Sequence, residues 1–139
     1  MSTLHALPTK LLVCAFAAAV GLIDVSFGWA AEGAPPSAPL TPGEEVFRDS
    51  CSVCHNIESG APTIVAPNLF GIVGRRSATE QGFFYSAAMQ EANLTWDAVT
   101  LSAFLTSPQQ VVPGTSMGFT GFLDPGDTQN VIAYLRTRR

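Results

Sequence analysis

Two thiols and an imidazole lie together in the segment CSVCH, in which Cys51 and Cys54 are three residues apart and His55 follows directly. The chain has only one other cysteine and one other histidine, and both lie in its first 14 residues. On a helical segment, residues i, i+3 and i+4 share one face. A helix that runs into this segment would therefore present all three side chains to one ligand.

Three kinds of chemistry use such a cluster. A redox dithiol of the thioredoxin type needs a βαβ context, which this sequence does not provide. A structural zinc site needs four Cys or His ligands, and beyond residue 30 the chain has only these three. Covalent haem attachment has C-x-x-C-H as its signature. We therefore predict one haem c, with thioether bonds to Cys51 and Cys54 and with His55 as an axial ligand of the iron.

The second axial ligand of the iron must be another side chain of the domain. The only lysine is Lys10, and no second histidine follows residue 30, so Met89 and Met117 are the soft donors available. Met89 lies in the helix-like segment SAAMQEA, where a methionine more often fills a core. Met117 lies in a Pro-Gly turn, VVPGTSM, and is the favoured ligand.

The N-terminal segment is apolar and follows Lys10. This pattern predicts a signal peptide at residues 1–30, cleaved before Ala31, and so an exported, periplasmic protein. The alternative is an uncleaved membrane anchor, since the apolar run is long enough to span a bilayer. Asp24 disfavours this alternative because an acidic residue inside a spanning helix is costly.

Residues 31–41 are rich in proline and alanine and predict an extended linker. The domain at residues 42–139 has six arginines, no lysine and nine acidic residues, which disfavours nucleic acid as a partner. A domain of this size buries a modest fraction of its surface, so a bound cofactor would help to stabilise it.

Local signals predict where the helices begin. Thr41 followed by Pro42 predicts one helix start, and Asp124 followed by Pro125 predicts another. A third helix is predicted from Thr95, and a short helical turn after Ser86.

Almost nothing between residues 56 and 84 predicts regular structure, and no segment predicts a strand with confidence. Loops of this length are unusual in a compact domain that has no ligand. We predict a small all-α domain of three to five helices, with long loops that wrap around the haem.

Several segments, in this order and at these spacings, resemble the class I cytochromes c, the mitochondrial-type and soluble bacterial family: CSVCH, APNLFGIVGRR, GFFYSAAM, LTW, FLTSPQQVVPGTSM and VIAYL. The resemblance extends from Gly43 to Leu135. It implies the small cytochrome c fold around one covalent haem c, in which the first and last helices cross at Gly43, Phe47 and Tyr134.

The resemblance also implies roles at the haem. Met117 would be the axial ligand opposite His55, and the carbonyl of Pro67 would accept a hydrogen bond from the His55 ring. The residues implied to hold the haem propionates are Arg75, Tyr85, Trp96 and Thr115.

Four positions depart from the family pattern. Ala66 replaces a usual glycine, and Ser116 replaces a lysine beside the methionine. Phe104, in the haem pocket, replaces a tyrosine whose hydroxyl bonds the methionine sulfur in many members, and Met89 replaces an asparagine. These last two changes predict an altered iron–methionine bond and an altered redox potential.

The function implied is that of a single-electron carrier and not of an enzyme, with no small-molecule substrate. The alternative is a haem protein with a labile methionine ligand that acts as a peroxidase or gas sensor. The expected partners are membrane respiratory or photosynthetic complexes, or a periplasmic dehydrogenase. We expect a monomer that reaches the membrane only if its N-terminal segment is retained.

Overall fold

The structure is a computed structural model, and it describes residues 38–63 and 65–139. The predicted signal peptide and most of the predicted linker lie outside the described residues. Within them the fold is helical, without a named strand, as predicted. The described helices are α1 Pro42–Ser50, α2 Ala87–Glu91, α3 Ala98–Thr106, α4 Pro108–Val111 and α5 Pro125–Thr137.

Three helices begin at the predicted residues. The hydroxyl of Thr41 accepts the backbone N–H of Glu44 at 3.3 Å, and Pro42 occupies the first turn of α1. The carboxylate of Asp124 accepts the N–H of Gly126 at 2.8 Å and caps α5. Ser86 caps α2. These caps satisfy backbone donors that the first turn of a helix leaves free.

The predicted start of a helix at Thr95 is wrong. Helix α3 begins at Ala98, and the carboxylate of Asp97 accepts the N–H of Thr100 at 2.8 Å as its cap. Thr95 forms an antiparallel bridge with Arg76 instead. Because Trp96 both donates to and accepts from backbone groups of the loop around Arg76, its backbone is not free to join the helix. Helix α4, which the sequence did not predict, opens at Pro108.

The first and last helices pack against each other, as the resemblance implied. The rings of Phe47 on α1 and Tyr134 on α5 lie 5.6 Å apart. Val131, on the same helix as Tyr134, is almost completely buried. None of the described helices is both long and apolar enough to span a bilayer.

The buried apolar residues form one cluster in the described domain. It contains residues of α1, α2, α3 and α5 together with residues of the loops between them: Phe47, Ile57, Ile72, Met89, Trp96, Leu101, Phe104, Leu105, Val112, Val131, Ile132 and Leu135. Several of these also line the cavity described next, so the core and the candidate site share a wall.

Candidate functional site

An apolar cavity of about 570 Å³ lies in the described domain. Its size falls within the range of about 300–1,000 Å³ that is usual for cofactor and ligand sites. Its wall is formed by the CSVCH segment, the loop between α1 and α2, Trp96 in the loop before α3, the loop after α4, and residues of α2, α3 and α5. None of its lining residues is Asp, Glu, Lys or Arg.

The CSVCH segment contributes its three reactive side chains to this cavity. Helix α1 ends at Ser50, and the chain continues as a hydrogen-bonded turn in which the N–H of His55 donates to the carbonyl of Cys51 at 2.9 Å. This bond has the spacing of a helical turn, which keeps the side chains on one side. Cys51, Cys54 and His55 all line the cavity.

The two thiols do not form a disulfide. Burial raises the pKa of the Cys51 thiol to about 11, so it is protonated at neutral pH. A redox dithiol needs a thiol with a lowered pKa, because the thiolate is the nucleophile. The environment of Cys51 therefore does not favour redox chemistry of the thioredoxin type.

The imidazole of His55 is held in one orientation. Its Nδ1 atom lies 2.7 Å from the carbonyl oxygen of Pro67. Because a carbonyl can only accept, Nδ1 carries the hydrogen, and the lone pair is left on Nε2. Burial lowers the pKa of His55, while the bond to Pro67 acts in the opposite direction. A neutral imidazole with an oriented free nitrogen is the form that binds a metal.

Both methionines considered from the sequence line the cavity. Met89 lies on α2 and is buried. Met117 lies in the loop after α4, where its N–H donates to the hydroxyl of Thr115 at 3.3 Å. The side chain of Gln109 in turn donates to the carbonyl of Thr115 at 3.0 Å, which ties this loop to α4.

Three of the predicted site residues in the cavity wall have polar hydrogens available. The hydroxyl of Tyr85 accepts the N–H of Glu80 at 3.3 Å, and the hydroxyl of Thr115 accepts that of Met117, so each retains its own proton. The indole N–H of Trp96 takes part in no hydrogen bond within the described residues. Burial also raises the pKa of the Tyr85 phenol, which keeps it protonated. These donors suit the carboxylates of a haem.

Arg75 is placed differently from the other predicted site residues, because it does not line the cavity. Its guanidinium donates to the carboxylate of Glu80 at 2.8 Å and to the carbonyl of Asn68 at 2.7 Å. A third bond, of 3.3 Å, reaches the carbonyl of Phe70. Pro67 and Phe104 do line the cavity, and the Phe104 ring lies 4.9 Å from that of Trp96.

Sequence reasoning missed Glu80. Its only signal was an acidic residue five positions after Arg75 in an irregular loop. That spacing predicts no contact, since loop residues follow no fixed periodicity.

A small helical shell around an apolar cavity that carries C-x-x-C-H is the arrangement of a cytochrome c. Residues 40–139 match the family model described as cytochrome c, and the chain belongs to this family. Among curated relatives, the cytochrome c2 of Rhodomicrobium vannielii is 37% identical over 119 residues, which cover 86% of this chain and 94% of that protein. The cytochrome c of Chlamydomonas reinhardtii is 41% identical over 101 residues, which cover 73% of this chain and 90% of that protein.

Among solved structures, cytochrome cH from Methylobacterium extorquens matches with a TM-score of 0.64 and 39% identity, covering 69% of this chain and 95% of that one. Proteins of the cytochrome c family carry one covalently bound haem c, and Cys51 and Cys54 fit its attachment motif. The chain is therefore a haem electron carrier and not an enzyme.

Proposed function

We propose that the protein transfers single electrons between periplasmic or membrane redox complexes, with His55 and Met117 as the axial ligands of its haem iron. The observation that carries this proposal is that the two thiols, the oriented imidazole and the Met117 thioether line the same apolar cavity. Because His55 donates a hydrogen bond to Pro67 through Nδ1, the lone pair of Nε2 is free to bind the iron.

The chain's own residues determine what happens at this site. When bound, the haem supplies an iron that gains and loses one electron. His55 and Met117 would hold the iron, and no ligand position would be left for a substrate. No Asp, Glu, Lys or Arg lines the cavity, so no side chain of these types is positioned there to transfer a proton. A histidine–methionine pair raises the redox potential.

The haem carboxylates have protein partners in this arrangement. Tyr85, Trp96 and Thr115 offer hydrogen-bond donors from the cavity wall. Phe104 packs on Trp96. Arg75 does not line the cavity, and its guanidinium is paired with Glu80.

Electrons would pass where the cavity wall reaches the surface. Val53 and Val65 line the cavity and have exposed fractions of 78% and 63%, and Cys54 is exposed as well. Such an apolar edge suits brief encounters over a small interface. The partners we propose are membrane respiratory or photosynthetic complexes, or a periplasmic dehydrogenase. The protein would bind them as a monomer.

The proposed location is the periplasm. It rests on the signal-peptide pattern of residues 1–30 and on the likeness to a bacterial cytochrome c2. If residues 1–30 are retained, they would tether the domain to the inner membrane through the linker.

Phe104 favours a second candidate function, that of a haem protein that senses a gas through a labile methionine ligand. This residue is 5% exposed and has no hydroxyl to bond a methionine sulfur. Loss of such a bond would let Met117 leave the iron and open a position for a gas.

The test uses protein purified after expression with an intact haem-maturation system. We expect a red-region charge-transfer band from iron–thioether bonding in the oxidised protein, and no carbon monoxide binding in the reduced protein. Met117→Ala should lose the band and bind carbon monoxide. Met89→Ala, which removes the other methionine in the wall, should retain the band.

A Met117→Ala variant that keeps the band would exclude Met117 as ligand. Rapid carbon monoxide binding by the wild-type protein would favour the second function. A colourless protein would contradict both.

A further inference from the structure

Arg75 and Glu80 form an ion pair that is mostly shielded from water. Their nearest charged atoms are 2.8 Å apart, and the side chains are 22% and 23% exposed. The carbonyls of Asn68 and Phe70 accept further hydrogen bonds from the same guanidinium. Glu80 thus occupies part of a donor set that would otherwise be free for another carboxylate.

Tyr85 joins this ion pair to the cavity. Its hydroxyl accepts the backbone N–H of Glu80 at 3.3 Å, and its ring lies in the cavity wall against Phe83, with the ring centroids 4.7 Å apart. Because no Asp, Glu, Lys or Arg lines the cavity and the ion pair is mostly shielded from water, its charges are screened less than charges on the open surface are.

Charge behind the wall affects the redox equilibrium of the iron. Oxidation adds one positive charge to the haem, so a nearby guanidinium disfavours the ferric state and a nearby carboxylate favours it. An unpaired Arg75 would raise the midpoint potential and would be free to bond a haem carboxylate. Paired with Glu80, its charge is largely offset and its N–H groups are occupied.

We propose that Glu80 sets the redox potential by competing with a haem carboxylate for Arg75. It lowers the midpoint potential relative to a chain that lacks this side chain. Glu80 is thus a positioning residue that acts through Arg75. This inference rests on the proposed function, in which the haem carboxylates meet the wall at Tyr85 and Trp96.

The test compares midpoint potentials of the purified holoproteins. Glu80→Gln should shift the potential upward, and Glu80→Ala should shift it in the same direction, because both remove the carboxylate. Glu91→Gln is the matched control: it also removes one negative charge, and the Glu91 side chain is exposed and forms no ion pair among the described residues. It should shift the potential far less.

A second comparison separates competition from simple addition of charges. Arg75→Gln should lower the potential more in the Glu80→Gln background than in the wild type, because only the former frees Arg75 to meet a haem carboxylate. Equal shifts in both backgrounds would overturn the competition. So would a Glu80→Gln potential equal to that of wild type or of Glu91→Gln.

The absorption spectrum separates a failure of the proposed Glu80 role from a failure of the proposed function. A variant set with an intact iron–thioether band and an unmoved potential contradicts only the role of Glu80. Loss of the band in the wild-type protein contradicts the proposed function itself.

Discussion

Gly43 on α1 lies so close to Tyr134 on α5 that a β-carbon built on Gly43 would be 2.7 Å from the Cβ of Tyr134. The same added atom would also overlap the backbone carbonyl of Asn130. Because that carbonyl belongs to the backbone of α5, it cannot rotate away. The closeness of the two terminal helices therefore depends on the missing side chain at this position.

We predict that Gly43→Ala destabilises the holoprotein by about 1–3 kcal/mol, the usual cost of overpacking a well-packed contact. Unfolding in guanidinium chloride, followed by loss of helical circular dichroism, measures the change. Glu45→Ala, an exposed substitution on the same helix, should stay within about 0.5 kcal/mol of wild type. Equal unfolding midpoints for Gly43→Ala and Glu45→Ala would contradict the close crossing.

A hydroxyl restored at residue 104 should raise the midpoint potential. Phe104 lines the cavity, and the phenol of Phe104→Tyr could donate to the sulfur of Met117. A donated hydrogen bond draws electron density from the thioether, which favours ferrous iron. Phe122→Tyr adds the same group at a residue that does not line the cavity and should leave the potential near that of wild type. Equal potentials in both variants would contradict the effect.

Local signals were sufficient to predict the helix starts at Thr41, Ser86 and Asp124, because a cap involves only residues two or three positions away. They failed at Thr95. The antiparallel bridge from Thr95 to Arg76 joins residues 19 positions apart, and no local pattern reports such a contact. Asp97, the actual cap of α3, is equally compatible with the sequence.

At the candidate site, too, short-range patterns predicted some features, and contacts between distant residues were missed. The spacing of CSVCH was enough to predict that Cys51, Cys54 and His55 lie on one side of their segment, since that spacing fits one turn of helix, and in the structure all three line one cavity. The family resemblance implied a hydrogen bond between the His55 ring and the carbonyl of Pro67, and this hydrogen bond is present in the structure. Neither indicated that Glu80 holds Arg75, because their contact depends on the path of an irregular loop.

The cap of α3 predicts a pH effect on stability. Hydrogen bonds from Thr100 lower the pKa of the Asp97 carboxyl below its ordinary value. The ionised form therefore stabilises the folded protein above the pKa that the group has in the unfolded chain, which is about 3.9. This stabilisation is lost as the pH falls through the lower folded pKa.

Asp97→Asn tests this effect. Wild type should be more stable than the variant at pH 7, and the difference should shrink at a pH below about 3.9, the ordinary pKa of an Asp. Urea unfolding at both pH values measures it. Asp127→Asn removes a carboxylate whose side chain caps no helix, and serves as the control. A difference in stability between wild type and Asp97→Asn that is the same at both pH values would contradict the prediction.

The charge around the site predicts how the association of the protein with its redox partners depends on salt. Many cytochromes c surround the exposed haem edge with lysines, which steer them toward acidic partners. This chain has no lysine after residue 10, and Ser116, an exposed residue in the cavity wall, stands in the place of one. We expect electron transfer to an acidic oxidase to depend weakly on ionic strength, or the natural partner to be basic.

Ser116→Lys should restore the steering. Its electron-transfer rate with the acidic oxidase should be higher than that of wild type at low salt and should fall as salt screens the new charge. Gln129→Lys adds the same charge on α5 at an exposed residue outside the cavity wall, so it should change the salt dependence far less. Stopped-flow kinetics over a range of salt concentrations would compare the three proteins. A steep loss of rate with rising salt in the wild type would contradict the expected weak salt dependence.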